Sequence, residues 1–140
     1  MIASWLRTGG GGSGGPSGGP VAVEVGKVER VRLIGIDTTE TKKPNTPIEC
    51  YGPEASERIA FLLPVGTPVI LQRDAEARDH YGRLLGYIFR FSDNIFVNGD
   101  LMKGGFARPL AIAPNTTYSK EFSSLATNAQ AAELGLWGAC

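Results

Sequence analysis

Three short segments carry side chains that could act on a phosphate or hold a cation. The first starts at Arg32 and runs into Asp37, Thr38, Thr39 and Glu40. Alternate residues of a strand share a face, so Arg32 and Ile34 point the same way on a strand that delivers the acidic loop. Asp37, the Thr38 carbonyl and Glu40 offer hard oxygen donors, the kind that Ca²⁺ takes. The second segment, Asp79-His80-Tyr81-Gly82-Arg83, reads as a turn that presents Arg83 at the start of a strand. The third is Tyr51-Gly52-Pro53-Glu54-Ala55, where Pro53 suits a first helical turn and Gly52 permits the bend before it. Each segment alone also fits a plainer role. An arginine followed by acids is usually a surface ion pair worth under ~1 kcal/mol, and a Tyr-Gly-Arg run is usually only a turn. His80, the one histidine, reads as an exposed loop residue, and Lys42 and Lys43 as a solvated pair.

The elements that must position these groups follow from the apolar pattern. Residues 9–20 (GGGGSGGPSGGP) cannot bury apolar surface and read as a flexible coil, so residues 1–20 form a flexible N-terminal tail. Val21–Val25 and the run from Val28 through Ile36 read as two strands around Gly26-Lys27. Asp37–Pro53 is a polar, proline-containing loop. Glu54–Leu63 has helical spacing at Ala55, Ile59, Leu62 and Leu63, and stops before Pro64. Thr67–Arg73 and Leu84–Phe91 are strands, and Ile95–Val97 a short one. Asn98–Gly104 is a short helix with Asn98 as its N-cap. Pro109–Thr117 is an irregular loop, and Ser119–Glu133 a last helix ended by Gly135. This order is that of an α+β protein with about three helices, and a small, partly open barrel of five strands fits it.

Composition narrows the function classes. With 140 residues, 42% hydrophobic and 20% charged, the chain can bury one core. No apolar run approaches the ~20 residues of a membrane span. The 14 basic and 14 acidic side chains cancel, which argues against tight coating of nucleic acid. A site that grips one or two phosphates needs only local positive charge. Met1–Thr8 lacks the apolar stretch of a secretory signal, so the chain is cytoplasmic or its export signal lies outside this sequence. Cys50 and Cys140 are either two unrelated thiols or a disulfide tying the C-terminus to the loop before Tyr51.

In combination and in order, VRLIGIDTTETKKP, ECYGPEAS, DHYGRLLGYIF, VNGDLMKGGFA and AAELGLW resemble the successive motifs of the staphylococcal nuclease (thermonuclease) family, from about Arg30 to Trp137. The resemblance implies an OB-fold nuclease domain over residues 21–140 that hydrolyses single-stranded or denatured DNA and RNA to 3′-phosphorylated products with Ca²⁺. It implies catalytic roles for Arg32, Arg83 and Glu40, calcium ligation by Asp37 and the Thr38 carbonyl, and substrate contact by Tyr81. A secreted or cell-envelope origin and a monomer are the accompanying expectations.

Three departures from the family pattern bear on that expectation. Relatives carry Gly-Asp-Thr on the first hairpin, whose aspartate is a further calcium ligand; here GGPSGGP runs into VAVEV, and no aspartate precedes Asp37. A weakened calcium site, with activity reduced, is the consequence. The first barrel strand is likewise missing or atypical, unless Met1–Thr8 folds back over the glycine tract to supply it. A sheet edge left open would invite a strand-exchanged dimer. Leu110–Ala113 stands where relatives place tyrosines against the base. The rival function is a non-catalytic OB-fold module for nucleic acid or a protein partner, and a third reading is an engineered or trimmed derivative.

Overall fold

The computed structural model describes residues 2–7, 28–38 and 50–140. Val21–Val25, Glu40 and the lysine pair at 42 and 43 lie outside the described residues. The elements are β1 (Ile2–Arg7), β2 (Val28–Leu33), β3 (Ile36–Thr38), α1 (Gly52–Leu62), β4 (Val69–Gln72), β5 (Leu84–Arg90), α2 (Val97–Lys103), β6 (Ala107–Pro109), α3 (Ser119–Ala131) and α4 (Leu136–Ala139). The architecture is α+β, with four helices among the described residues where about three were expected. The extra one is α4, a single turn beyond Gly135 that the sequence pattern is too short to reveal.

Four strands lie in the order β1-β2-β5-β4, and β3 pairs with β6 in a second, two-stranded sheet. Among the described residues the strands form these two sheets, which do not close into one barrel; the α+β class is as expected, and the partly open five-stranded barrel is not reproduced as such. β1 runs antiparallel to β2, with Trp5 opposite Arg30 and Arg7 opposite Val28. Of the two expectations for the N-terminal segment, a tail or a strand folded back beyond the glycine tract, residues 2–7 take the second. The sheet edge of β2 is thereby paired, which removes a template for aggregation.

β2 and β5 run parallel, and β4 and β5 antiparallel. Val31 and Leu33 alternate inward from β2, Tyr87 and Ile88 are buried on β5, and Leu101, Met102 and Phe122 come from α2 and α3; each is at most 1% exposed. Between β2 and β3 the chain turns at Ile34-Gly35. Gly35 sits at φ +83°, and a Cβ there would lie 2.5 Å from the Phe122 ring, so the helix packs directly on the turn.

Two sequence-level expectations are corrected here. Ile95–Val97 is no strand: Phe96 makes one bridge to Phe89 and stacks on its ring at 4.5 Å, and the helix begins at Val97. Asn98 is not an N-cap but lies inside α2, fully buried. Its amide accepts from the Ile88 N–H at 2.9 Å and donates to the Ile34 carbonyl at 2.9 Å. A buried amide that satisfies two main-chain groups gains more from the sheet than from capping a helix. It ties the β2–β3 turn to β5, the two places from which the candidate site is built. Cys50, just before α1, and Cys140, just after α4, are joined by a disulfide with Cα atoms 6.0 Å apart. No helix among the described residues is long and apolar enough to cross a membrane.

Candidate active site

The parallel pairing of β2 with β5 sets Arg32 beside Leu85 and Val31 beside Leu84. Arg83 is the residue before β5, so the two arginines come from adjacent strands separated by fifty residues of chain. Both line one cleft of about 410 Å³, together with Leu110, Ile112, Ala113, His80 and Glu76. Arg32 is half-buried and makes no hydrogen bond or ion pair among the described residues.

Arg83 is held by Asp79, a residue the sequence singled out only as part of a turn. The Asp79 carboxylate accepts from Arg83 Nε at 2.6 Å and from the Tyr81 and Arg83 amides at 2.9 and 3.0 Å. The Asp79 N–H donates back to the Arg83 carbonyl at 3.0 Å. Partial burial works against the charge on Asp79, but the bonds from the Arg83 amide, the Arg83 guanidinium and the Tyr81 amide outweigh it and hold its pKa below the ordinary carboxylate value. Because Nε is occupied, the two terminal nitrogens of Arg83 are left as a fork, with no hydrogen bond among the described residues. Tyr81 is 73% exposed, and Arg83 Cζ stands 5.2 Å from the centre of its ring.

Two buried polar residues that the sequence reading passed over, Asn115 in the cleft lining and Asp74, hold neighbouring segments in place. Asn115 accepts from the Glu76 amide at 2.7 Å and donates to the Glu76 carbonyl at 3.0 Å. Asp74, 2% exposed, accepts from the Tyr87 hydroxyl at 2.6 Å, the Ala75 amide at 2.7 Å and the Thr117 amide at 3.1 Å. Burial alone would raise the Asp74 pKa, yet these donors stabilise the carboxylate more and lower it. Burial and the bond to Asp74 together push the Tyr87 hydroxyl well above its usual value. Neither residue has a sequence signal of its own, since an Asp or Asn at the edge of a strand or loop is ordinarily exposed.

The lowered pKa of Asp74 has a defined consequence for stability. A carboxyl with a depressed folded-state pKa contributes fully above its unfolded value of about 3.9 and loses that contribution as pH falls through the folded value. Asp74→Asn is therefore expected to cost about 1–3 kcal/mol at pH 7. The gap between wild type and variant should close on acidification below the unfolded pKa, as thermal melts across that range would show. A gap that stays constant down to low pH would contradict the assignment.

Asp37 is exposed and stands in register with Arg108 of β6, away from the cleft lining. Thr38 pairs in register with Ala107, and Glu40 lies beyond the described residues. Among the described residues, no three His, Cys, Asp or Glu side chains gather as a metal site. The donor chemistry near β3, a carboxylate and a main-chain carbonyl, is of the hard-oxygen kind that calcium takes, and waters can complete its six to eight ligands. Arg32 and Arg83 thus line one cleft, with the Tyr81 ring beside Arg83, whereas Asp37 and Thr38 sit on the β3–β6 strand pair.

Comparison with known proteins identifies the relatives of this chain. The family described as staphylococcal nuclease homologue matches residues 30–139. The thermonuclease of Staphylococcus intermedius is 42% identical over 112 residues, covering 80% of this chain and 65% of that protein. The thermonuclease of Staphylococcus hyicus is 37% identical over 112 residues, covering 80% of this chain and 64% of its own length. The SPbeta prophage-derived endonuclease YokF of Bacillus subtilis (strain 168) is 38% identical over 113 residues, or 80% of this chain and 38% of that protein. The chain thus spans less than two-thirds of the length of each of these relatives. The matched span includes Arg32, Asp79, Arg83 and the loop behind the cleft, and it places this chain in the staphylococcal nuclease family.

Proposed function

We propose that this chain is a nuclease, a calcium-dependent phosphodiesterase that hydrolyses single-stranded or denatured DNA and RNA and leaves 3′-phosphorylated ends. The observation that carries this reading is the cleft shared by Arg32 and Arg83. Attack of water on a phosphodiester gathers negative charge on the equatorial oxygens of phosphorus, and two guanidinium forks can bond those oxygens bidentately. Arg83 offers its terminal nitrogens because Asp79 has taken Nε. Arg32 offers a guanidinium with no competing partner among the described residues. Glu40 takes the proton of the attacking water or holds that water in line. As the new P–O bond forms, the bond to the 5′ oxygen breaks, and that oxygen leaves with the bonding electron pair and takes a proton from solvent, balancing the one lost by the attacking water. Tyr81, exposed beside Arg83, contacts the substrate phosphate.

Asp37 and the Thr38 carbonyl are the proposed calcium donors. The first-hairpin aspartate of relatives is missing, so binding is expected to be weak. The parallel β2–β5 pair and the antiparallel strands around it support an OB-fold barrel for residues 21–140, with β1 laid on its edge. Pairing of that edge supports a monomer, and the Cys50–Cys140 disulfide supports a secreted or cell-envelope setting.

The test is incubation with denatured DNA in millimolar Ca²⁺, alongside a chelator and alongside Glu40→Gln. Cleavage is expected with calcium and not with chelator, and kcat should fall by about 10²- to 10⁴-fold in the variant. Intact DNA after incubation with folded protein and calcium would overturn the reading.

A further inference from the structure

The geometry points to Glu29 and Arg78 as a positioning pair that locks the Arg83 turn onto the strand carrying Arg32. This inference rests on the nuclease reading for its effect on rate, and on the structure alone for its effect on Arg83. Glu29 is on β2, three residues before Arg32, and its side chain is 12% exposed. Burying a carboxylate this far is costly unless it is matched by a cation with good geometry. Arg78 supplies that match as a fork, Nη1 donating to Glu29 Oε1 at 3.0 Å and Nη2 to Oε2 at 2.7 Å.

The same Arg78 reaches further. Its Nη1 also donates to the Gly82 carbonyl at 2.8 Å. Gly82 has φ +82° and is the residue immediately before Arg83, so its carbonyl orients the peptide that sets the direction of the Arg83 side chain. Arg78 and Leu84 are bridged across the base of this turn, and Asp79 closes it from within. Asp79 thus fixes Arg83 relative to the turn, and the Glu29–Arg78 fork fixes the turn relative to β2. Beyond this link, the turn is joined to β2 through the β2–β5 pairing that begins at Val31 and Leu84. Two arginines must close on one phosphate, so the distance between them is a catalytic quantity, and Glu29 and Arg78 hold it without touching substrate. Glu29 also neutralises Arg78, which keeps a third guanidinium from competing for the phosphate.

A displacement of about 1 Å in such a site can cost ~10²-fold in rate. Arg78→Ala and Glu29→Gln are expected to lower kcat on denatured DNA 10- to 100-fold, with KM changed less than about twofold. The double variant should be no worse than Arg78→Ala alone, because the two residues act as one unit. A readout independent of cleavage is the Arg83 Nε–Hε resonance in ¹H–¹⁵N spectra. In either variant it should broaden and move toward the free-arginine position while the amide signals of β4 and β5 stay in place. If the wild type proves inactive, the rate arm lapses with the nuclease reading, and the Arg83 resonance still decides the positioning claim. An unmoved Arg83 resonance in folded Glu29→Gln would overturn it, whatever the melting temperature does. Should Arg78→Ala fail to fold, Glu29→Gln, which keeps the side-chain shape, gives the decision alone.

Discussion

Arg83→Ala is expected to reduce kcat on denatured DNA by on the order of 10³-fold or more while KM changes far less, since cationic forks at a transferring phosphoryl group contribute on that scale. The reason is local. Arg83 spends Nε on Asp79 at 2.6 Å and keeps its two terminal nitrogens for the cleft. The charge they meet grows as the phosphorus takes on a fifth oxygen, so their bonds strengthen in the transition state more than in the bound substrate. Lysine would retain the charge but lose the fork and the anchor to Asp79, so Arg83→Lys should recover little of the loss. Arg32→Lys should behave alike, and the double variant should fall short of the product of the two single losses because both arginines serve one phosphate. Single-turnover cleavage with saturating substrate measures this directly. An Arg83→Lys enzyme within a few-fold of wild type would show that the cleft does not bind the reacting phosphate by its forks.

The second large effect is on stability. Cys50 and Cys140 are ninety residues apart, and their disulfide closes α1 through α4 into one loop, with β1, β2 and β3 outside it. In the chain-entropy picture, removing a crosslink across a loop of this length costs about 4–5 kcal/mol, and native disulfides removed from small domains typically cost ~2–5 kcal/mol. Cys140→Ser, or reduction of the wild type, is therefore expected to lower the melting temperature by ten degrees or more, taking ~4–8 °C per kcal/mol for a domain near this size. Melts of oxidised and reduced wild type beside Cys50→Ser and Cys140→Ser give the number. Reduced wild type and both serine variants should coincide. Melting temperatures unchanged by reduction would mean that the ends are held by packing alone, chiefly by Leu136, whose N–H donates to the Gly105 carbonyl at 2.8 Å.

The two effects separate cleanly in experiment. Arg83 variants leave the core untouched and should melt near wild type, whereas the cysteine variants should keep kcat for as long as they stay folded. Assays run well below the lower melting temperature distinguish a loss of chemistry from a loss of fold.

Much of the fold is legible in the residues because it depends on local pattern. The apolar spacing of Ala55, Ile59 and Leu62 predicts α1, and that helix runs Gly52–Leu62 with those three residues buried. The alternation of Val31 and Leu33 predicts β2, and the run from Leu84 predicts β5. Where local pattern and tertiary demand compete, the tertiary demand wins. Asn98 has the side chain of a good N-cap, but a buried amide that bonds Ile88 and Ile34 across two elements is better satisfied inside the helix. Phe96 has strand propensity, but an aromatic cluster with Phe89 and Tyr118 takes its ring, and the chain turns into α2. β6 is three residues long and has no periodic signature; it exists because β3 offers it an edge.

For the site, the residue types were determined by the sequence itself: two arginines, a glutamate and a strand-borne aspartate, in an order resembling a nuclease family. That order is a property of the chain and needs no coordinates. What only the tertiary structure decided is how those groups stand to one another. Parallel pairing of β2 with β5 brings Arg32 and Arg83 to one cleft, while β3 pairs with β6 and leaves Asp37 beside Arg108 instead. Asp74, Asn115 and the Glu29–Arg78 fork acquire their roles only when distant segments meet. The physical reason is that hydrogen bonds and ion pairs of this kind act over about 3 Å. Residues tens of positions apart reach that separation only through the sheet, so their partnership is written in the strand order and not in the local run of residues.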